Sequence, residues 1–201
     1  MGGMTIDQRW LRPLLWVSLA LVALGIWFFV LRGSDGPEDP VLGGPAGSVP
    51  AGLTPPGNPD RVPFGDFSEV AIAVERADGQ GLLASCLLAA LDDAQRARGL
   101  MEVTDLQGYD GMAFVYQEDV TNGFYMRNTP MPLSIAWIDA AGGLVSTVDM
   151  APCEDREGCP TYPPGGPYRM AIEVPQGRLA DLGITPGAKV TVAGACAPRS
   201  D

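Results

Sequence analysis

Eighteen consecutive residues without a charge, Leu14 to Leu31 (LLWVSLALVALGIWFFVL), limit what the N-terminal part of this chain can become. As a helix the run covers roughly 27 Å, close to the ~30 Å apolar core of a bilayer. The residues after it offer little to pack against. Positions 33 to 63 hold 7 Gly and 8 Pro in 31 residues, with almost no large apolar side chains. Such a segment cannot bury enough surface to offset the entropy of ordering it. The run therefore reads as a transmembrane helix and not as a buried core helix. Leu11 can extend it, and Trp10 suits an interfacial position.

The flanks give an orientation. Arg9 and Arg12 precede the span, whereas Arg32 is followed by Asp35, Glu38 and Asp39. The positive-inside bias places the N-terminus in the cytoplasm and the remainder outside. A cleaved signal peptide is the competing reading. Its apolar core would be shorter and would end in a small-residue cleavage site, which FFVLRGS does not supply. The expected organisation is a cytoplasmic N-terminus (1–13), a signal-anchor (14–31), a Gly/Pro-rich linker (32–63) that spaces a domain from the membrane, and an extracytoplasmic domain (64–201). The expected localisation is the cell membrane, single-pass, with the domain on the outer side.

The domain carries 19 of the 24 carboxylates and 9 of the 13 bases of a chain whose net charge is −11. An acidic surface argues against nucleic acid as a partner, because phosphate contacts need a basic face. The chain has no His. That removes His-based triads, His-ligated zinc and imidazole acid–base chemistry.

Short alternating segments dominate the domain. Val70, Ile72 and Val74 alternate with Ala71, Ala73 and Glu75, and Met112, Phe114 and Tyr116 alternate likewise, so both read as strands. Leu82–Leu88, Leu133–Asp139, Leu144–Asp149, Tyr168–Val174 and Ala188–Ala193 complete the strand set. Ala140 to Gly143 forms a hairpin connection. Asp92, with Gln95 three residues on, makes a capping box that opens a short helix running to about Gly99. Gly177–Leu182 reads as a second short helix, stopped by Gly183. The fold class is mainly β, a small β-barrel or sandwich with two short helices.

Four Cys suit an oxidising compartment. Cys153 and Cys159 flank the five-residue loop EDREG, where a local bridge is expected. Cys86 is left to pair with Cys196, tying an early strand to the last one. A four-thiolate zinc site is the rival reading, but no CxxC spacing is present.

Three linked motifs carry a family resemblance. They are Arg98-Gly99-Leu100-Met101, Gly111-Met112-Ala113-Phe114, and Phe124-Tyr125-Met126-Arg127-Asn128-Thr129-Pro130-Met131-Pro132-Leu133. In order and spacing they resemble the domain of unknown function 192 family, the uncharacterised UPF0127 group, whose pattern reads roughly RGLM, GMLF, then FWMKNTxxPLDIxFID. The likeness continues through Ile138-Asp139, Gly142, Pro152-Cys153, Tyr162, Met170 to Gly177, and Leu182-Gly183-Ile184. It implies a small, mainly β domain, frequently exported or anchored, and supplies no settled activity. Tyr125 and Arg127 stand where the pattern has Trp and Lys. Ser134 stands where it has Asp, which loses a carboxylate.

The FYMRNTPMP segment is the most unusual stretch. If it is extended, Phe124 and Met126 face one way and Tyr125 and Arg127 the other. Arg127, Asn128 and Thr129 offer cationic, amide and hydroxyl groups beside an aromatic ring, a set able to hold a carboxylate, a sugar or a peptide backbone. The plainer reading has Asn128 and Thr129 satisfying a tight turn, with Arg127 paired to Asp139 or Glu173. Glu173 lies mid-strand; facing inward it would need a cation, Arg98 or Arg127. Paired with Asp139 it would supply two carboxylates for hydrolysis. The six Met of the domain are too dispersed to suggest Cu(I) ligation and read as core.

The expected function is a membrane-tethered, extracytoplasmic, non-enzymatic binding or envelope-interaction module. It would present Arg98, Tyr125, Arg127, Asn128, Thr129, Asp139 and Glu173 to a small polar ligand or an envelope protein, with no metal and no cofactor. The alternative is an envelope hydrolase using carboxylates.

Overall fold

The structure is a computed structural model and describes residues 57–199. The signal-anchor and most of the linker expected from the sequence lie outside the described residues. Among the described residues no helix is long and apolar enough to cross a membrane.

Among the described residues nine strands and one helix follow in chain order. They are β1 (Ser68–Glu75), β2 (Leu82–Ala90), α1 (Asp93–Arg98), β3 (Met112–Val120), β4 (Phe124–Tyr125), β5 (Leu133–Ile138), β6 (Leu144–Met150), β7 (Thr161–Tyr162), β8 (Tyr168–Pro175) and β9 (Lys189–Gly194). Seven strands form one mixed sheet in the order β6-β5-β8-β3-β2-β1-β9, and β4 with β7 makes a separate ribbon. All pairings in the large sheet are antiparallel except β2 with β3. A parallel pair needs a crossover, and α1 with the following loop provides it.

The helix is capped as its sequence dictates. The Asp92 side chain accepts from the Gln95 backbone N–H, and the Gln95 side chain reaches back to the N-cap backbone. Gln95 also donates to the Asp66 carbonyl at 2.9 Å, which docks the helix on the segment before β1.

Two corrections to the expected architecture follow. The sheet is not a closed barrel: its edge elements meet only where Gly143, beside β6, bridges Lys189 of β9, supported by the Val190 N–H donating to the Gly142 carbonyl at 2.8 Å. One bridge leaves the rest of both edges unpaired. The second expected helix, Gly177–Leu182, is a chain of turns. Gly177 sits at φ 84°, outside the helical region. Its neighbours close i to i+3 turns, Arg178 N–H to Pro175 carbonyl and Asp181 N–H to Arg178 carbonyl. Leu179, Leu182 and Ile184 still bury apolar side chains against the sheet.

Each sheet face is covered. On one, Val70, Ile72 and Val74 pack with Ile172, Val174 and the Leu179–Ala188 segment. On the other, Met112, Phe114, Ile135 and Trp137 pack beneath Leu100, Val103, Leu106 and Met126. The site lies on this second face. Met112, Met126 and Met150 are fully buried within it.

Both expected disulfides are present, Cys86–Cys196 and Cys153–Cys159, and no described cysteine is free. Beside the long-range bridge, Arg61 is buried and grips Glu69 with two hydrogen bonds, at 2.9 and 2.8 Å, while Tyr109 adds a third at 3.1 Å. This is the bidentate geometry that guanidinium and carboxylate favour. It draws Arg61, from the end of the Gly/Pro-rich tract, into the domain.

Candidate functional site

β8 runs between β3 and β5, and its alternation decides where Glu173 goes. Ile172 and Val174 face one core cluster. Glu173 therefore takes the other face, between its register partners Met112 and Ile135. It is 4% exposed, and among the described residues its carboxyl has neither an ion pair nor a hydrogen bond. Burial alone pushes that carboxyl up to about 8, because removing water penalises the charged form. At neutral pH it is mostly a protonated acid.

Glu173 lines a cleft of about 330 Å³. Phe114 and Tyr116 of β3 and Phe124 and Tyr125 of β4 supply aromatic surface, and the α1 residues Asp93, Arg96 and Arg98 stand at its edge together with Thr129. Phe124 is fixed edge-on to Phe114 at 4.9 Å between centroids and to Trp137 at 6.3 Å. The Trp137 indole N–H is buried and has no partner among the described residues. Burial raises Tyr116 above the usual phenol range.

The cations at the cleft each have a carboxylate partner. Arg96 donates to the Leu91 and Val115 carbonyls, pairs with Asp93, and lies 4.9 Å from the Tyr116 ring centroid. Arg98 pairs with Asp66 and lies 4.3 Å from the Phe67 centroid. That pairing holds Asp66 below the ordinary carboxylate range.

Of the seven candidate residues, the structure gathers four at the cleft: Arg98, Tyr125, Thr129 and Glu173. The other three have local duties. Arg127 pairs with Asp155 at 2.6 Å and not with Asp139 or Glu173. Asn128 sits at φ 56° and donates to Glu102, itself at φ 61°, while the Glu102 N–H donates to the Asn128 carbonyl. Asp139 caps its own hairpin, accepting from the Ala141 and Gly143 N–H groups at 2.8 Å each. It follows Ile138, whose β8 partner is Met170 rather than Glu173. The carboxylate pair expected from Asp139 and Glu173 is thus not assembled. Ser134, in place of the pattern's Asp, bonds Asp149 and accepts from the Gly177 N–H, away from the cleft.

The FYMRNTPMP segment alternates as expected: Met126 is buried, Tyr125 and Arg127 are exposed. The disulfide loop helps to hold it, because Cys153 bridges both Arg127 and Thr129 and the loop leads into β7, the partner of β4. Sequence reasoning missed Phe114, Tyr116 and Phe124 as cleft walls. The alternation of Met112, Phe114 and Tyr116 marks one face of β3, but only the pairing with β8 shows that Glu173 shares it.

The family DUF192, described as Uncharacterized ACR, matches residues 73–192. No curated protein matches the chain. Similar solved structures include the following two. One is a protein of unknown function from Novosphingobium aromaticivorans, 26% identical, with TM-score 0.56, covering 70% of this chain and 94% of that one. The other is a protein of Sinorhizobium meliloti named as a candidate transcription regulator, 22% identical, with TM-score 0.55, covering 66% of this chain and all of that one. The second likeness bears on fold alone.

Proposed function

The chain belongs to the DUF192 family, and we propose that it is a binding module whose Glu173 cleft receives a small polar ligand, held outside the membrane by an N-terminal signal-anchor at residues 14–31. One observation carries the binding reading: a buried carboxyl with no partner lines an aromatic-walled cleft. A buried carboxyl that served only the fold would be expected to have a hydrogen-bond partner. Glu173 lines the cleft, whose size fits a side-chain-sized ligand. The tether rests on the uncharged run Leu14–Leu31, on its Arg-rich leading flank and on the Gly/Pro-rich tract after it. Two disulfides suit an oxidising compartment on the outer side.

Two experiments test the two halves. Fragment binding to the full-length protein, followed by chemical-shift mapping, is expected to perturb Phe124, Tyr125 and Glu173 together. Perturbation confined to other surfaces removes the cleft as the site. A C-terminal phosphatase fusion is expected to be active, as an exported enzyme would be. An inactive fusion beside an active cytoplasmic reporter rejects the topology.

A further inference from the structure

We propose that the ligand carries an organic cation, an ammonium or guanidinium group, which Glu173 neutralises as a counter-ion within the aromatic walls of the cleft. The proposal rests on the binding reading above and assigns its ligand a chemical class.

Among the described residues the cleft lacks a cation for its buried carboxyl. Its two arginines are each met by a carboxylate of the protein, Asp93 for Arg96 and Asp66 for Arg98, and Arg96 spends further donors on two backbone carbonyls. An anionic ligand would meet guanidinium groups whose charge is already balanced. It would also stand beside a carboxyl and oppose that group's ionisation. Glu173, by contrast, is a carboxyl for which the described residues provide no cation. Aromatic rings suit a cation as walls, because their faces carry partial negative charge. The same region already uses this chemistry twice, with Arg96 over Tyr116 and Arg98 over Phe67. A side-chain-sized ammonium or guanidinium fits about 330 Å³.

Binding then has a definite proton balance. The free carboxyl is protonated at neutral pH, its value raised to about 8 by burial. An entering cation stabilises the carboxylate, and one proton leaves Glu173 for solvent. The other charged or titratable groups around the cleft are Tyr116 from β3, Tyr125 from β4, and Asp93, Arg96 and Arg98 from α1. β5 offers only the apolar Ile135 opposite Glu173. On β8 itself, the Tyr168 hydroxyl donates to the Asn122 carbonyl and Arg169 pairs with Asp119.

The test uses the full-length protein in detergent and three ring- or chain-sized probes: n-butylguanidinium, benzyl alcohol and benzoate. Affinity is read from shifts of the Phe124 and Tyr125 signals. n-Butylguanidinium stays charged throughout the range. Its affinity is expected to rise nearly tenfold per pH unit from about pH 5.5 to about 7.5 and to level off above about 8. Glu173→Gln, which keeps the shape and removes the charge, is expected to bind it at least about tenfold more weakly and without that slope. Preferential binding of benzyl alcohol or benzoate at the cleft overturns the cation assignment but leaves the cleft as a binding site. So does guanidinium binding that is indifferent to pH and to Glu173→Gln. If no probe shifts the cleft signals at millimolar concentration while the wild-type protein is folded, both readings fall.

Discussion

Gly111 lies directly against the backbone carbonyl of Glu173. A Cβ placed on Gly111 would overlap that oxygen, and it would also meet the Val174 side chain at 2.9 Å. Gly111 in turn accepts from the Leu88 N–H at 2.9 Å, so the contact locks β8 to the start of β3 and to β2. The position of Glu173 in the cleft therefore depends on a residue without a side chain just before the neighbouring strand β3.

Gly111→Ala is expected to destabilise the domain by about 1–3 kcal/mol, the range found when atoms are forced into a well-packed interior. Because the clash is with β8 backbone, the Phe124 and Tyr125 ring signals should shift even where the variant remains folded. Chemical denaturation and a one-dimensional aromatic spectrum check both points.

The pH dependence of stability follows from Glu173. The unfolded chain ionises this group near its ordinary value of 4.5, the folded chain only near about 8. The folded carboxyl is thus the more easily protonated of the two. Its contribution is fully present below about pH 4.5 and is lost as pH rises toward about 8. Denaturation midpoints should fall across that window, and Glu173→Gln should flatten the fall. Glu69 acts in the opposite sense. The hydrogen bonds from Arg61 hold its carboxyl below the ordinary range, so its contribution is present at neutral pH and lost on strong acidification.

Asn128 is expected to matter for the backbone and not for a ligand. At φ 56° it occupies the left-handed region, where a side chain with a Cβ costs roughly 1–2 kcal/mol unless it is Asn or Asp. Asn128→Ala should lower stability by about that amount, and Asn128→Gly by less. Neither should change probe binding at Tyr125 by more than about twofold if the fold is intact. Thermal unfolding and shift titration of the two variants separate these effects.

The two disulfides should differ in worth. Cys86–Cys196 closes 110 residues and Cys153–Cys159 only 6. In the chain-entropy account their removal costs about 5 and about 2 kcal/mol respectively. The Cys86→Ala/Cys196→Ala pair should approach global unfolding. The Cys153→Ala/Cys159→Ala pair should remain folded, with its changes centred on Arg127 and Thr129, which Cys153 bridges. Equilibrium denaturation of the two double variants tests the difference.

What could be read in the sequence was local. Alternation in Val70–Glu75 and Met112–Tyr116 marked strands, Asp92 and Gln95 marked a capped helix, and the short Cys153–Cys159 spacing left one partner for Cys86. The misreadings came where distant contacts or backbone geometry decide. Gly177 takes a positive φ and turns a helical-looking segment into successive turns. Barrel closure depended on how much of β6 and β9 would meet, and they meet at one bridge. The partners of Arg127 and Asn128, Asp155 and Glu102, lay beyond a local reading because they are 28 and 26 residues away. Glu173 was legible as an oddity among apolar neighbours. Its companions Phe114 and Tyr116 were not, because the β3–β8 register joins residues about sixty positions apart.

Glu173 is central as a neutral carboxyl at the cleft that has no partner among the described residues. Carbon NMR of the full-length protein labelled at Glu side-chain carboxyls, with Glu173→Gln to assign the signal, measures this directly. The account predicts a Glu173 carboxyl that remains protonated at pH 6.5 and titrates near about 8. A midpoint near the ordinary 4.5 would show a solvated or paired carboxylate and would contradict it.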